Sequence, residues 1–231
     1  NVFFYKNLSL PEQQKLRDDL RILIAEKYWE GCQGFVVTEE VQVTIAAQAA
    51  MLVLGMENQY FDHVKSILVY PTAYIASEKT MGLGGVVTVG NSAREGEAWY
   101  RGPIILSWDD VLQGGRRDSD GYNLVFHEFA HQLDMLNGRS TDGTPLMESK
   151  QQYEQWQTVL NSEYNQLVKA CQTRSRRTLL DCYGATNLAE FFAVATECFF
   201  ERALQLKKKH PALYDILSGY YHQDPASDSR S

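Results

Sequence analysis

The chain has 231 residues, of which 44% are hydrophobic and 22% are charged. These proportions are typical of a soluble globular protein and exclude disordered and collagen-like chains. The formal net charge of −7 disfavours a nucleic-acid partner, because polyanions bind basic surfaces. No stretch approaches the roughly 18 uninterrupted apolar residues of a membrane span, so we also expect no membrane association. Neither a repeat nor a linker divides the sequence, which predicts one domain over residues 1–231.

The N-terminal part of the chain, residues 9–55, carries the signals of two helices. Ser9 and Glu12 form the pattern of a capping box, and apolar residues recur at helical spacing after them. This first helix should run to about Trp29. Thr38 has the position of a second helix start, and the long apolar run that follows it predicts a buried helix.

Residues 63–108 change to short β-rich runs punctuated by glycine and proline. We expect three strands, at residues 67–70, 86–89 and 104–108, in a small sheet that is mixed or mostly antiparallel. Residues 120–222 then show helical patterns only. Strands that are grouped, rather than alternating with helices, indicate the α+β class, here as a mostly helical domain.

The strongest chemical signal is the H-E-x-x-H motif His127-Glu128-Phe129-Ala130-His131. Residues four positions apart lie on one helix face, so both imidazoles can reach a single zinc ion. Glu128 follows the first ligand and lies beside the open coordination position, where it can act as the general base towards water. The motif is surrounded by apolar residues, and buried polar groups need partners such as a metal. The motif therefore predicts one zinc ion per chain on a zincin-type active-site helix.

A third protein ligand must come from elsewhere, since catalytic zinc sites have three protein ligands and one open position. Glu190 and Glu197 are candidates because they lie seven residues apart in an apolar run and share a helix face. Glu190 has an alternative role in a capping box that begins at Asn187. The remaining candidates are the histidines outside the motif, namely His63, His210 and His222. The residues alone favour Glu190 and leave the others open.

The four cysteines, Cys32, Cys171, Cys182 and Cys198, contain no C-x-x-C pair and are few for a chain of this length. We therefore expect reduced thiols, with Cys182 and Cys198 as packing residues. The first residues of the chain also lack the basic-then-apolar layout of a secretory signal. Both observations predict a cytoplasmic protein.

Two stretches, residues 121–138 and 181–200, resemble the Mlc titration factor family of bacterial zinc metallopeptidases. The resemblance rests on the motif with the Gln132-Leu133-Asp134 that follows it, and on Tyr183, Ala185-Thr186, Ala189-Glu190 and Phe192-Ala193. Weaker similarity extends from about Leu10 to Gln223-Asp224-Pro225. The catalytic core of that family is similar to the core of anthrax lethal factor.

The resemblance implies a role for each matched residue. It implies that His127, His131 and Glu190 hold the zinc ion. It also implies that Glu128 is the base and that Tyr183 polarises the substrate carbonyl and stabilises its oxyanion, which suits a neutral O–H donor.

Glu197 would then orient a ligand histidine through the free ring nitrogen of that histidine, and Asp134 is a rival for this role. The resemblance further implies an aminopeptidase that acts on peptides and regulates sugar uptake by sequestering a transcriptional repressor of the Mlc type. The alternative is a non-catalytic repressor-binding protein with a structural zinc. Glu128 favours the enzyme, because a structural zinc needs no base and usually has four protein ligands.

Overall fold

The computed structural model describes residues 1–72, 102–116, 120–138, 141–173 and 178–228. The strand predicted at residues 86–89 lies outside these ranges. The described residues are mostly helical and form one three-stranded sheet, which confirms the α+β class. None of the helices in the described part of the chain is both long and apolar enough to cross a membrane.

Helix α1, Leu10–Glu26, begins where its capping box predicts. The backbone amide of Ser9 donates to Glu12 Oε2 at 2.8 Å, and the Ser9 side chain accepts from the backbone of Glu12. These contacts satisfy amides that the first turn of a helix leaves unpaired. The helix ends before Trp29, earlier than the sequence pattern predicts, because the chain enters a strand there.

Helix α2, Glu39–Leu52, begins at Thr38, whose side-chain oxygen accepts from the Val41 amide at 3.4 Å. Most of the helix is buried, as its apolar sequence predicts. One of its polar residues, Gln48, is 0% exposed and therefore needs hydrogen-bond partners inside the protein.

Three short strands form the sheet: β1, Tyr28–Gly31; β2, Ser66–Tyr70; and β3, Ile104–Ser107. Their order is β1-β2-β3 and both pairs are parallel, so the expectation of a mixed or mostly antiparallel sheet is wrong for the described strands. The sequence pattern predicts a helix where β1 begins, so β1 is not predicted as a strand. For the same reason it does not predict that α2 connects two strands, β1 and β2. A crossover helix returns the chain to the same end of the sheet, which makes the two strands parallel.

The described residues of the C-terminal part form helices and no strand, as predicted. Its helices are α3, Trp108–Arg116; α4, Leu124–Asp134; α5, Lys150–Gln172; α6, Leu188–Glu201; α7, Ala203–Lys209; α8, Pro211–Tyr221; and α9, Pro225–Asp228. Short 3-10 helices occur at Phe3–Asn7, Met135–Asn137 and Cys182–Ala185.

Helices α4 and α6 pack against each other in the core. Helix α4 also contacts α2 and α3, and α6 also contacts α5 and α8. Fully buried phenylalanines on both helices join one apolar core: Phe126, Phe129, Phe191, Phe192 and Phe199. A polar side chain between α4 and α6 is therefore shielded from water and must be paired within the protein.

A disulfide bond joins Cys171, at the end of α5, to Cys182, in the 3-10 helix Cys182–Ala185. The expectation of four reduced thiols is therefore wrong, and Cys32 and Cys198 are the free cysteines. Cys182, expected to be a packing residue, is exposed. The two bonded residues are 11 positions apart and match no cysteine motif, so it is the fold that brings their sulfurs together.

Candidate metal centre

The motif lies on α4, which begins at Asn123. The side-chain oxygen of Asn123 accepts from the Phe126 amide at 3.0 Å, and asparagine is among the preferred residues for this position. The helix then enters the core, so both motif histidines are largely shielded from water. His127 is 2% exposed, and the side chain of His131 is 13% exposed.

His127, His131 and Glu190 converge on one point. The Nε2 atoms of His127 and His131 are 3.3 Å apart, and Glu190 Oε2 lies 3.0 Å from the first and 3.5 Å from the second. A tetrahedral zinc ion with bonds of about 2.0–2.1 Å separates its ligand atoms by roughly 3.3–3.4 Å. The three side chains therefore fit a zinc ion that takes three protein ligands.

Glu190 reaches this cluster from the first turn of α6. Asn187 caps α6 and its side-chain oxygen accepts from the Glu190 amide at 2.9 Å. The Glu190 carboxylate contacts His127. Glu190 thus supplies its backbone to the helix cap and its side chain to the cluster.

Glu197 contacts the opposite side of the same imidazole. Its Oε1 lies 2.8 Å from His127 Nδ1, and its Oε2 accepts from the backbone amide of Asn123 at 2.6 Å. Glu197 therefore contacts Nδ1 of His127, whereas Glu190 contacts the Nε2 atoms of both motif histidines.

The three histidines outside the motif lie elsewhere. His63 is hydrogen-bonded to Gln132, and burial lowers its pKa. His210 Nδ1 lies 2.7 Å from Glu163, and His222 Nε2 lies 3.3 Å from Glu148. None of them joins the cluster found among the described residues.

Asp134 is fully buried near the end of α4. Its Oδ2 accepts from the Gly143 amide at 2.8 Å. This hydrogen bond joins the end of α4 to the loop that precedes α5. Burial raises the pKa of Asp134 to about 6. Of the two candidates for orienting a ligand histidine, Glu197 is the one that contacts His127 directly.

Glu128 and Tyr183 lie beside the cluster. Burial raises the pKa of Glu128, and the nearby charges of His127 and His131 oppose this shift. The Tyr183 ring is half-buried, and its centroid is 5.9 Å from that of His127. The 3-10 helix that carries it is capped by Asp181, whose carboxylate accepts from the Tyr183 amide at 2.7 Å. The structure thus brings both predicted residues close to the cluster of His127, His131 and Glu190.

The charges of the cluster favour a cation. Burial lowers the pKa of His127, but hydrogen bonds to Glu190 and Glu197 outweigh it and raise the pKa to about 10. Burial disfavours the ionised form of Glu190 as well, yet both motif histidines hold its pKa well below the usual range. A divalent cation that replaces a proton at Nε2 provides the positive charge that this arrangement stabilises.

Comparison with known proteins agrees with this geometry. The family described as glucose-regulated metallo-peptidase M90 matches residues 1–222. The chain belongs to this family. An uncharacterised protein of Synechocystis sp. is 41% identical over 96% of this chain and 80% of its own length. Proteins named Mlc titration factor A from Yersinia pestis and Yersinia pseudotuberculosis are each 32% identical over 97% of this chain and 83% of their own length. The similarity to Mlc titration factors that the motifs indicate is thereby confirmed.

One part of the candidate site is not predicted by the motif. Behind His127 lies a group of buried polar side chains, Gln48, Asn123, Glu197 and Glu201, of which Glu197 alone was predicted to act at the site. Gln48 belongs to α2 and lies 75 residues before Asn123. In the sequence, Gln48 is a polar residue within a run of apolar residues. This pattern indicates that Gln48 has a hydrogen-bond partner inside the protein, but it does not identify that partner.

Proposed function

We propose that this chain is a zinc-dependent aminopeptidase with one zinc ion per chain, held by His127, His131 and Glu190. The observation that carries the proposal is the convergence of three ligand atoms at 3.0 to 3.5 Å, with Glu128 directly after the first histidine. Two imidazoles and a carboxylate form a common ligand set of catalytic zinc. When bound, zinc supplies a Lewis acid and lowers the pKa of a coordinated water to about 7.

The protein supplies the proton transfer and the oxyanion donor. Glu128 takes a proton from the attacking water and passes it to the leaving amine. Its raised pKa supports this role, because a carboxylate of higher pKa is a stronger base. Tyr183 donates its O–H to the carbonyl oxygen of the substrate as negative charge develops there, and its place beside His127 supports this role.

The substrate in this proposal is a peptide with a free amino terminus. The family match supports a peptidase, and the preference for amino termini rests on the resemblance of the motif regions to Mlc titration factors. We assign the whole chain to a single domain. We also place the protein in the cytoplasm, where a transcriptional repressor would be found. In that reducing compartment the bond between Cys171 and the exposed Cys182 would be open to reduction.

We further propose that the chain binds a transcriptional repressor of the Mlc type and so regulates sugar uptake. The names of two relatives, Mlc titration factor A, support this second activity. The alternative is a non-catalytic repressor-binding protein whose zinc is structural. Three ligands beside a base support the enzyme, because structural zinc sites usually have four protein ligands and no base.

The test compares the zinc-loaded wild-type chain with zinc-loaded Glu128→Gln on a mixed peptide library, with cleavage detected by mass spectrometry. Zinc content is measured in both proteins, since the substitution leaves all three ligands intact. A second library with acetylated amino termini is the substrate control. We expect the wild type to remove N-terminal residues from free peptides, to spare acetylated ones, and to lose this activity in the variant.

Internal cuts that depend on Glu128 would keep the hydrolytic mechanism and replace the aminopeptidase with an endopeptidase. If the wild type cleaves no more than the variant while both hold zinc, the peptidase proposal fails. Binding of an Mlc-type repressor by both proteins would then support the non-catalytic alternative.

A further inference from the structure

A buried series of hydrogen bonds connects α2 to the back of the metal cluster. Beginning at the cluster, Glu197 contacts His127 Nδ1 with one carboxylate oxygen and accepts from the Asn123 backbone amide with the other. The Asn123 side-chain amide then donates to Gln48 Oε1 at 2.9 Å and to Glu201 Oε1 at 3.1 Å. Elements that are distant in sequence thus meet behind one ligand histidine.

Gln48 is the end of this series on α2. Its Nε2 donates to the backbone carbonyls of Thr44 and Val111, at 3.2 Å each. These two acceptors decide the orientation of the amide, because a carbonyl can be paired only with the NH2 side of Gln48. The oxygen of Gln48 must then face Asn123, which has an amide to donate.

Helix α3 packs directly against both amide side chains. A Cβ atom added to Gly114 would lie 2.9 Å from Asn123 Cγ, and one added to Gly115 would lie 3.2 Å from Gln48 Nε2. Side chains this closely enclosed have little freedom to change rotamer. The position of Asn123 is therefore fixed by α2 and α3 in addition to its role as the cap of α4.

This enclosure has a consequence for metal binding. When Glu197 accepts a hydrogen bond from His127 Nδ1–H, the other ring nitrogen keeps its lone pair for a metal. The backbone amide of Asn123 holds the second oxygen of Glu197 and so restricts rotation of the carboxylate. A shift of Asn123 would thus reach Nε2 of His127 through two hydrogen bonds.

We propose that Gln48 and Asn123 are positioning residues of the metal site, which fix Glu197 and so direct His127 Nε2 at the zinc ion. The inference rests on the proposed function of the cluster as a zinc site. An apolar side chain at position 48 would avoid the cost of burying a polar group, whereas the Gln48 amide joins α2 to α3 through Val111 and to the metal cluster through Asn123.

The experiment measures zinc affinity by competition with a chelator in the full chain. Gln48→Leu removes the anchor on α2. Asn123→Ser keeps a good helix cap and the backbone amide that Glu197 needs, but loses the hydrogen bonds to Gln48 and Glu201. The matched control is Thr196→Val, which removes the buried hydrogen bond of Thr196 to Tyr221 one residue before Glu197. Thermal unfolding of each protein records its stability.

We expect the zinc dissociation constant to rise about tenfold in Gln48→Leu and in Asn123→Ser, as is typical for the loss of residues that orient ligands. Cobalt substituted at the same site should show a changed visible spectrum in both. Thr196→Val should lose stability and keep the wild-type affinity and spectrum. Asn123→Asp also keeps the helix cap and loses the side-chain amide, so it should lose affinity as Asn123→Ser does. Wild-type affinity in Asn123→Asp would overturn the proposal.

A dissociation constant within twofold of the wild type in folded Asn123→Ser would also overturn it. If Gln48→Leu does not fold, Asn123→Ser decides the question alone. A wild-type chain that binds no zinc would instead overturn the proposed function, and the inference with it. If the wild type binds zinc and both variants bind it with the same affinity, the inference is wrong and the proposed function is unaffected.

Discussion

Glu190 and Glu197, which belong to one helix, contact the two ring nitrogens of a single histidine. They lie seven residues apart on α6, which places them on one face about two turns from each other. Glu190 reaches Nε2 of His127 at 3.0 Å and Glu197 reaches Nδ1 at 2.8 Å. The same spacing that leaves two candidates for the third ligand in the sequence places the two carboxylates on opposite sides of one imidazole in the structure.

Matched substitutions of these two residues should separate their functions. Glu197→Gln should weaken zinc binding by about 10- to 100-fold, because Glu197 acts only through His127. Glu190→Gln should weaken it further, since it removes the charge of a direct ligand. Calorimetric titration of zinc into each metal-free protein measures both constants, and a larger loss in Glu197→Gln than in Glu190→Gln would exchange the two assignments.

Tyr183 is the residue whose role depends most on the chemical step. Tyr183→Phe should lower kcat by about 10²- to 10³-fold, the usual effect of losing one oxyanion donor, and should leave KM and zinc content near wild-type values. The control is Tyr221→Phe, which removes a buried phenol that is hydrogen-bonded to Thr196. That variant should lose about 1 kcal/mol of unfolding free energy and keep its kcat. Equal kcat values in both variants would refute the role of Tyr183.

At the scale of elements, the local signals in the sequence predict most of the helices. The capping box at Ser9, the cap at Thr38 and the i,i+4 spacing of the motif each depend on neighbours within one or two turns. The relative direction of the strands does not depend on such neighbours. It also could not be predicted because β1 is only four residues long and follows α1 almost directly. The parallel pairing of β1 with β2 is a property of the α2 crossover, which no local pattern records.

The 3-10 helix that carries Tyr183 begins at Cys182, which is disulfide-bonded to Cys171. Replacing Cys171 and Cys182 by serine should lower the unfolding free energy by about 2–3 kcal/mol, the loop-entropy value for an 11-residue separation. The kcat should also fall, because Cys182 directly precedes Tyr183, whereas zinc affinity should not change since no ligand lies on this segment. Denaturant unfolding and zinc titration test both parts, and unchanged stability would contradict the first. The wild type treated with a thiol reductant should behave like the double variant.

At the scale of the whole molecule, the candidate site is assembled from distant parts of the chain. Glu190 lies 63 residues after His127, Glu197 lies 70 residues after it, and Gln48 lies 75 residues before Asn123. Residue type and spacing predict the motif histidines, and the similarity to a known family selects Glu190. The buried series from Gln48 to Glu197 could not be predicted, because each of its contacts exists only once the helices have packed.

This separation along the chain ties zinc binding to global stability. The unfolded chain cannot hold these three side chains at 3.0 to 3.5 Å, so zinc held at the proposed site should stabilise the native state by about 2.7 kcal/mol at a free concentration 100 times the dissociation constant. For a chain of this size each kcal/mol raises Tm by about 2–4 °C, which predicts an increase of roughly 5–11 °C. Scanning calorimetry of metal-free and zinc-loaded protein measures the shift, and His131→Ala should not show it. An equal shift in that variant would mean that zinc stabilises the fold from another site.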